Sequence, residues 1–413
     1  MSKRIYGLLG IALNDSCSVP VHQAMGTDYE RIELPPSKLN EFLARDDVGG
    51  LNVAMPYQRD VLPFLDEISP AAKSIGSVNT IVNRDGKLYG YNTGLGGFIY
   101  MAWRANINIM DKKVLILGSG GTSYLANAAC HRLDAGEIIV ISRTGENNDK
   151  SIAKHLDAEI IINTTPVGMY PNNLEKPINL RDFPNCQGVI DVICNPIRTA
   201  LIQQAEELGI PCTGGLPMLV EQARRAEEIF FNHQIPSSEN ERILALLHRT
   251  LENIVLIGMP GSGKTSIGNA LSQLTGRPCL DMDELIIRDA GMSIPDIFAQ
   301  YGEQGFREIE SKIIRQVGKE SGKILVMGGG AVLCEQNYAP LHQNGRIHQI
   351  DRDIDLLATA GRPLSKNREA VAMMMLDRAP LYRRFRDVKI TNDTTIEDAA
   401  ARLWKDFTDN LMV

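Results

Sequence analysis

The chain has 413 residues, a length that exceeds one ordinary hydrophobic core and therefore predicts at least two domains. With 44% hydrophobic and 23% charged residues, the composition is that of a folded protein and excludes a disordered one. A net charge of −7 argues against nucleic acid as a partner. The seven cysteines lack C-x-x-C spacing, so the sequence indicates neither a disulfide framework nor a zinc site, which favours a cytoplasmic location. No apolar run has the length of a membrane span.

The first block of the chain, up to about residue 105, has an α/β pattern. It begins with an apolar segment at residues 5–13 that predicts a buried strand. Two further strand-like segments lie at residues 52–56 and 77–82. Because these strands are separated by longer polar and helical stretches, the block predicts a mixed α/β domain.

The second block has the pattern of a dinucleotide-binding βαβ unit. An apolar strand at residues 114–117 leads into the glycine turn GSGG at 118–121, a helical stretch follows to residue 133, and a second strand is predicted at 137–142. Arg143 then stands where a carboxylate would select NAD, which favours the 2′-phosphate of NADP. Ser123 replaces the last glycine or alanine of the fingerprint and weakens it.

A third block begins near residue 251, after a predicted helix at residues 240–250, and it carries a phosphate-binding motif. The apolar strand at 254–257 runs into GMPGSGKT at 258–265, the pattern of a P-loop. Glycine N–H groups of such a loop turn towards phosphate oxygens, Lys264 adds a positive charge, and the Thr265 hydroxyl suits Mg²⁺. A flexible glycine turn with a solvated lysine is the alternative, but the strand-to-helix context favours a nucleotide site.

Polar clusters that suit a small hydroxylated acid follow the P-loop. Asp281 and Asp283 are one residue apart, which on a strand end would direct both carboxylates to one side, one for the Mg²⁺ shell and one for a substrate hydroxyl. Glu303, Arg307 and Glu310 have the spacing of one helix face, and the planar guanidinium of Arg307 suits a carboxylate. A solvated ion-pair face is the alternative for this second cluster.

The remaining clusters are a glycine loop and two arginine segments. An apolar strand at residues 324–327 leads into three glycines at 328–330, where a ligand can approach the backbone closely, although a loop without a ligand has the same composition. Arg362 lies in RPL and Arg378 in LDRAPLY, two polar segments that predict a mobile lid over the phosphates.

Taken in this order, the motifs of the third block resemble shikimate kinase over residues 252 to about 400. The P-loop, D-x-D, G-E-x-x-F-R-x-x-E, G-G-G, R-P-L and R-x-P-x-Y are all matched. A gluconate or nucleotide kinase would account for the P-loop alone, and the G-E-x-x-F-R and G-G-G motifs argue against that alternative. The resemblance implies Mg²⁺-dependent transfer of the ATP γ-phosphoryl group to the 3-hydroxyl of shikimate, in the chorismate pathway.

The resemblance also implies roles for individual residues of the third block. Catalysis would depend on Lys264, Asp283 and Arg362. Mg²⁺ would be held by Thr265 and Asp281. Shikimate would be bound by Asp283, Arg307, Gly329 and Arg378. The residues implied to bind ATP are Gly261, Ser262, Gly263, Lys264, Thr265, Ser266 and Arg362.

Residues 5 to about 247 resemble shikimate dehydrogenase along nearly their whole length. The matching segments are SCS at 16–18 with His22, GLNV at 50–53 with Pro56, SVNT at 77–80, GYNT at 90–93, NTTPVGM at 163–169, Asp191 with Asn195 and Pro196, and GLPML at 215–219 with Gln222. The resemblance implies shikimate binding by Ser16, Ser18, Asn79 and Gln222. It implies NADP(H) binding by Gly118, Gly120, Gly121 and Arg143.

Two departures from the dehydrogenase pattern concern its acid–base chemistry. Gln58 stands where the family has a catalytic lysine, and Gly94 stands where it has an aspartate. Neither can exchange a proton, and Arg59 next to Gln58 stays protonated. Since loss of such a pair costs about 10²–10⁴-fold in rate, we expect no full dehydrogenase activity. A bifunctional enzyme with an unrecognised base, a ligand-binding module and a scaffold for the kinase remain open for this half.

The sequence thus predicts an α/β protein with three parts. Residues 1–105, closed by helices within 215–250, form a dehydrogenase-like substrate-binding domain. Residues 106–214 form a Rossmann-type domain, and residues 251–413 a P-loop kinase domain with a parallel sheet. The expected ligands are shikimate, ATP and Mg²⁺, with NADP(H) for the first half; nucleic acid and membrane are not expected.

Overall fold

The computed structural model describes residues 4–13, 16–143, 147–357 and 368–410. The chain forms two compact units, Met1–Ala245 and Leu246–Val413. In the described ranges, no helix has the length and apolar character needed to cross a membrane. The three-part division at residues 105, 214 and 250 stays a prediction.

The first sheet of the N-terminal unit is mixed. Its strands are β1 (Ile5–Gly10), β2 (Glu30–Glu33), β3 (Val48–Val53), β4 (Glu67–Ile68), β5 (Thr80–Arg84) and β6 (Lys87–Tyr91). Within the described residues their order is β2-β1-β3-β5-β6-β4, with β1 parallel to β2 and β3, and β5 antiparallel to β3 and β6. Strand β1 ends at Gly10, three residues before the predicted end. The helices that accompany it are α1 (Ser18–Ala24), α2 (Leu39–Leu43), α3 (Tyr57–Asp60) and α4 (Pro70–Ile75).

The second sheet of this unit is parallel, as the dinucleotide-binding pattern predicts. Its strands are β7 (Lys113–Leu117), β8 (Glu137–Ile141), β9 (Ile160–Asn163), β10 (Gly188–Asp191) and β11 (Cys212–Thr213). In the part of the chain that is described, their order is β11-β10-β9-β7-β8. The helices of this region are α5 (Gly94–Arg104), α6 (Gly121–Arg132), α7 (Ala200–Glu207), α8 (Leu216–Phe231) and α9 (Ser238–Leu251).

Helix α8 links the two sheets of the N-terminal unit. Phe230 near its end lies so close to Gly50 of β3 that a Cβ there would be 2.4 Å from the ring. Met218 near its start lies close to Gly97 of α5, where a Cβ would be 2.7 Å from the Met218 carbonyl oxygen. Because glycine allows these close approaches, α8 packs against the substrate-binding sheet and against α5, which follows that sheet in the chain.

The C-terminal unit is built around a second parallel sheet. The strands are β12 (Asn253–Ile257), β13 (Cys279–Asp281), β14 (Ile324–Val326), β15 (Gly345–Asp351) and β16 (Val388–Thr391). Across the described residues their order is β13-β14-β12-β15-β16, and the central strand β12 is buried along its whole length because helices cover both faces of the sheet. The α/β fold class is confirmed. The helices are α10 (Lys264–Thr275), α11 (Met282–Ala290), α12 (Ile294–Val317), α13 (Tyr338–Gln343), α14 (Arg368–Phe385) and α15 (Ile396–Asp409).

Candidate active sites

The P-loop connects β12 to α10 through glycines with positive φ. Gly258, Gly261 and Gly263 have φ angles of 145°, 87° and 94°, a region that side chains other than glycine rarely adopt. Gly263 is the N-cap of α10 and provides no side chain to cap the helix. The N–H groups of the first turn are therefore available to bind an anion, which the helix dipole would also attract.

Lys264 and Ser262 show how the loop is prepared for a ligand. The Lys264 ammonium donates to the carbonyl oxygens of Gly258 and Met259, both at 3.0 Å, so it is held over the loop. Asn392 fixes the backbone by donating to the Ser262 carbonyl at 2.8 Å. The Ser262 hydroxyl is buried and has no hydrogen-bond partner among the described residues. Thr265 and Ser266 lie exposed in the first turn of α10.

A hydroxyl and a carboxylate meet at the end of the P-loop. Thr265 Oγ1 donates to Asp281 Oδ2 at 2.9 Å, and Asp281 Oδ1 accepts from the N–H of Asp283 at 3.0 Å. These are the hard oxygen ligands that Mg²⁺ prefers, so the pair fits that ion. The prediction that both carboxylates share a strand end is wrong. Asp281 ends β13 and caps α11, whereas Asp283 lies in the first turn of α11.

Arg307 lies between two glutamates on α12. Its Nη1 donates to Glu310 Oε2 at 2.8 Å and its Nη2 to Glu303 Oε1 at 3.3 Å, so the spacing correctly placed the three side chains on one helix face. Glu310 is fully buried, and burial raises the pKa of its carboxyl although the Arg307 charge opposes this. The Nε of Arg307 and Oε1 of Glu310 are buried without a hydrogen-bond partner in the described part of the chain.

The glycine loop at residues 328–330 brings the polar clusters together. A Cβ at Gly330 would be 2.1 Å from Arg307 Nη2, and one at Gly328 would be 3.0 Å from Glu310 Oε1 and 3.3 Å from Asp283 Oδ1. A Cβ at Gly329 would be 2.7 Å from the Pro260 ring of the P-loop. The absence of side chains therefore allows Asp283, Arg307 and Glu310 to lie close to the P-loop.

Arg378 also belongs to this cluster, but not as a lid residue. It lies within α14, is 7% exposed and donates from Nη1 to the Gly329 carbonyl at 2.9 Å. The lid prediction is wrong for Arg378 because this contact holds the guanidinium inside the site. The Tyr382 hydroxyl, to which the sequence analysis gave no role, donates to the same carbonyl at 2.6 Å, and burial raises the pKa of Tyr382 to about 12. Arg362 lies outside the described residues.

The N-terminal unit has a cleft of about 190 Å³ between its two sheets. Asn79, Gln222, Gln58 and Gly94 line it together. The Asn79 amide donates to Thr93 Oγ1 at 3.2 Å and is 3.5 Å from Gln222 Oε1. The structure therefore brings two of the predicted shikimate-binding residues together with both positions that depart from the family pattern.

The predicted serine pair flanks Cys17 at the start of α1. Ser16 donates to Ser18 Oγ at 3.2 Å, at the start of α1, and neither residue belongs to the described lining of the cleft. His22 on the same helix contacts Glu227 of α8 at 2.5 Å and stacks on Tyr29. His22 therefore holds α1 against α8 rather than facing the cleft.

No charged side chain lines the cleft in the part of the chain that is described. The Gln58 amide donates back to the Val53 carbonyl at 3.0 Å, and the Gly94 N–H donates to Asn92 Oδ1 at 2.9 Å. Burial raises the pKa of the Cys194 thiol far above its usual value, so this lining residue stays neutral. The cleft offers hydroxyls and amides but no group poised for proton transfer.

The dinucleotide turn lies at one edge of this cleft. Gly118 has a φ of 112°, and a Cβ there would be 2.7 Å from Thr164 Oγ1. Gly120 faces open space, and Gly121 begins α6 and lines the cleft. Arg143 is exposed two residues after β8. Ser123 is buried in the first turn of α6, where the fingerprint has a smaller residue.

Comparisons with known proteins match both units. The family described as shikimate kinase matches residues 260–408, and the shikimate dehydrogenase substrate binding domain matches residues 9–81. A shikimate dehydrogenase (NADP(+)) from Caldicellulosiruptor bescii is 36% identical, over 60% of this chain and 96% of that protein. One from Clostridium beijerinckii is 34% identical, over 58% of this chain and 97% of that protein.

The chain belongs to the shikimate dehydrogenase family and carries a C-terminal shikimate kinase domain. Solved structures agree for the N-terminal unit. Shikimate dehydrogenase 1 from Peptoclostridium difficile is 33% identical with a TM-score of 0.55, over 59% of this chain and 97% of that one. A chorismate mutase/shikimate 5-dehydrogenase fusion protein from Clostridium acetobutylicum is 32% identical with a TM-score of 0.57, over 60% and 97%.

Asp191 is a buried carboxyl in the dehydrogenase-like unit. It ends β10 and accepts from the Thr199 hydroxyl at 2.7 Å, and from the Ile193 N–H and the Asn163 amide at 3.1 Å each. Burial nevertheless raises its pKa from 3.8 to about 6. The three hydrogen bonds therefore do not fully replace the water that the ionised carboxylate loses.

Asp191 should make stability depend on pH in a defined direction. Because its pKa is higher in the folded state, its contribution is fully present below about pH 4 and is lost as the pH rises through about 6. The shift of roughly two units corresponds to about 3 kcal/mol. We expect the free energy of unfolding of Asp191→Asn, relative to wild type, to rise between pH 4.5 and 7 in urea titrations. Asp182→Asn, at an exposed site, is the matched control; a flat difference for Asp191→Asn would contradict the assignment.

Proposed function

We propose that the chain phosphorylates shikimate with its C-terminal unit, while its dehydrogenase-like unit has lost the oxidation step. The observation that carries the kinase assignment is a set of buried polar atoms beside the P-loop without partners in the described residues. These are the Ser262 hydroxyl, Arg307 Nε and Glu310 Oε1. Buried polar groups are nearly always hydrogen-bonded, so these atoms suit hydrogen bonds to a bound ligand.

In the proposed reaction the P-loop holds the triphosphate. The N–H groups of residues 261–266 bind phosphate oxygens, and the Lys264 ammonium exchanges its carbonyl contacts for them. Thr265 and Asp281 hold Mg²⁺, which neutralises negative charge on the phosphates when it is bound. Arg362, by the family resemblance, completes the positive surroundings of the transferring group.

The acceptor side of the site has the donors and acceptors that shikimate requires. Each Nη of Arg307 donates one N–H to a glutamate, which leaves Nε and the second N–H of Nη2 as a fork for the substrate carboxylate, with Arg378 beside it. Asp283 orients the attacking 3-hydroxyl, since its carboxylate faces the same glycine loop as Glu310. Catalysis then consists mainly of positioning and of charge neutralisation.

For the dehydrogenase-like unit, the proposal rests on the uncharged cleft. Asn79 and Gln222, with Ser16 and Ser18, retain hydrogen-bonding groups for a polyol, while Gln58 and Gly94 supply no proton. Gly118, Gly120, Gly121 and Arg143 are the proposed contacts to NADP, the nucleotide in the names of the curated relatives.

A bifunctional enzyme is the second candidate. It is favoured by the 36% identity to a shikimate dehydrogenase over 96% of that protein. The two candidates share the fold and differ in one measurable reaction.

Lys264→Ala should remove the positive charge at the phosphates and lower ATP-dependent phosphorylation of shikimate by at least about a hundredfold. The coupled release of ADP measures this rate. Lys312→Ala, which removes an exposed lysine of the same unit, should leave the rate unchanged. A loss of less than tenfold for Lys264→Ala would mean that the P-loop assignment is wrong.

Arg307→Lys should raise the KM for shikimate about tenfold or more and leave the KM for ATP nearly unchanged, because lysine lacks the planar fork. Steady-state kinetics with each substrate varied in turn measure both constants. Arg315→Lys, on the exposed face of the same helix, is the control. Equal increases in both constants would indicate a structural ion pair instead.

The wild-type chain should not reduce NADP⁺ or NAD⁺ appreciably with excess shikimate, while the same sample phosphorylates shikimate. Absorbance at the wavelength of reduced nicotinamide measures the first reaction. Robust oxidation would establish the bifunctional enzyme. Calorimetric titration of the full chain, with shikimate added to Arg307→Ala, which impairs the proposed kinase site, and to wild type, then counts the shikimate sites that remain.

A further inference from the structure

Leu125 of helix α6 fills the space beside Gly94 in the dehydrogenase-like cleft. A Cβ added at Gly94 would lie 2.3 Å from Leu125 Cδ1 and 3.0 Å from Asn92 Oδ1. Carbon atoms in contact are normally 3.5–4.0 Å apart, so a side chain at residue 94 requires Leu125 to move. Gly94 has ordinary helical φ, since it is not among the positive-φ glycines, and its backbone does not demand glycine.

Leu125 is also buried at this position. It is 8% exposed and packs in the core cluster that includes Phe98 and Ala129. Its helix meets the substrate-binding side of the cleft at two further points. Met55 lies beside Gly121, and the Arg59 guanidinium lies 5.7 Å from the centre of the Tyr124 ring.

These contacts follow one side of α6. Residues 121, 124 and 125 have the i, i+3, i+4 spacing that places side chains on one helix face. The first turns of α6 are therefore docked on the substrate-binding side, with Leu125 against the position where the family has its aspartate. A carboxylate at residue 94 would meet a buried methyl group and would be desolvated without a partner.

We propose that Leu125 is a specificity-determining residue that closes the acid–base subsite of this cleft. The inference rests on the proposed loss of dehydrogenase activity and explains why two substitutions at residues 58 and 94 would not reverse it. The cleft presents amide groups at Asn79 and Gln222 and an apolar wall at Leu125. It therefore suits a polyol bound without proton exchange.

The steric part of the proposal predicts the sign of a stability change. Alanine in place of glycine normally stabilises a helix. Gly94→Ala should instead lower the melting temperature of the N-terminal unit in the full chain, by at least about 3 °C. The transition of the N-terminal unit is identified as the one that ATP with Mg²⁺ does not raise.

A double-mutant cycle then assigns the clash to Leu125. In the presence of Leu125→Ala, Gly94→Ala should lose most of its effect on the melting temperature. Tyr124→Ala, which truncates an exposed neighbour on the same helix, is the control and should leave the effect unchanged. An equal loss with and without Leu125→Ala would overturn the proposal, as would a higher melting temperature for Gly94→Ala alone.

A second readout concerns activity. Gln58→Lys with Gly94→Asp should reduce NADP⁺ with shikimate at least tenfold more slowly than the same pair combined with Leu125→Ala. Equal rates for the two variants would overturn the role of Leu125. Oxidation by the wild-type chain would instead contradict the proposed function, and the melting temperatures would still decide whether Leu125 excludes a side chain at residue 94.

Discussion

Close approach of side chains to a bare backbone is the constraint on which the kinase site depends. The loop at residues 328–330 contacts the P-loop through Gly329. Through Gly328 and Gly330 it contacts the side chains of Asp283, Arg307 and Glu310. Arg378 and Tyr382 both donate to one carbonyl of this loop and so hold it in place. A side chain at any of these glycines would clash with Pro260 of the P-loop or with Arg307 and Glu310, and would push the two parts of the site apart.

The kinase site and the dehydrogenase-like cleft differ in their ionisable groups. Around residue 329 of the kinase unit, charges are buried but paired: Arg307 with Glu310, and Arg378 with a carbonyl oxygen. Removing one member of a pair would leave the other charge buried and unpaired, which would lower the stability of the fold. In the cleft of the dehydrogenase-like unit, the described lining residues carry no charge. There the side chains can change without leaving an orphaned charge behind.

Local pattern predicted the elements and the P-loop well, because strand burial and glycine turns are encoded within a few residues. The strand at 113–117 and the strand that leads into the P-loop lie within a residue of their predicted places, while the helix of Arg307 extends well beyond the predicted cluster. The prediction for Asp283 missed a local capping bond: Asp281 accepts from the Asp283 N–H at the start of α11, so Asp283 lies on the helix. The lid prediction for Arg378 missed a distant partner, because Arg378 donates to the carbonyl of Gly329, 49 residues away. Leu125 gave no signal, since its contact with Gly94 exists only in the folded unit.

The persistence of the dehydrogenase fold is compatible with the proposed loss of its chemistry for a physical reason. A lysine and an aspartate in a cleft must each be desolvated, and the cost is recovered only through mutual pairing or a bound substrate. Gln58 satisfies its amide on the Val53 carbonyl, and Gly94 yields its space to Leu125. Both changes therefore remove a desolvation cost and add a contact. Sequence identity of about a third is maintained by the packing of sheets and helices, which these residues do not carry. The fold therefore reports ancestry, whereas activity is decided by the few ionisable groups that the cleft contains.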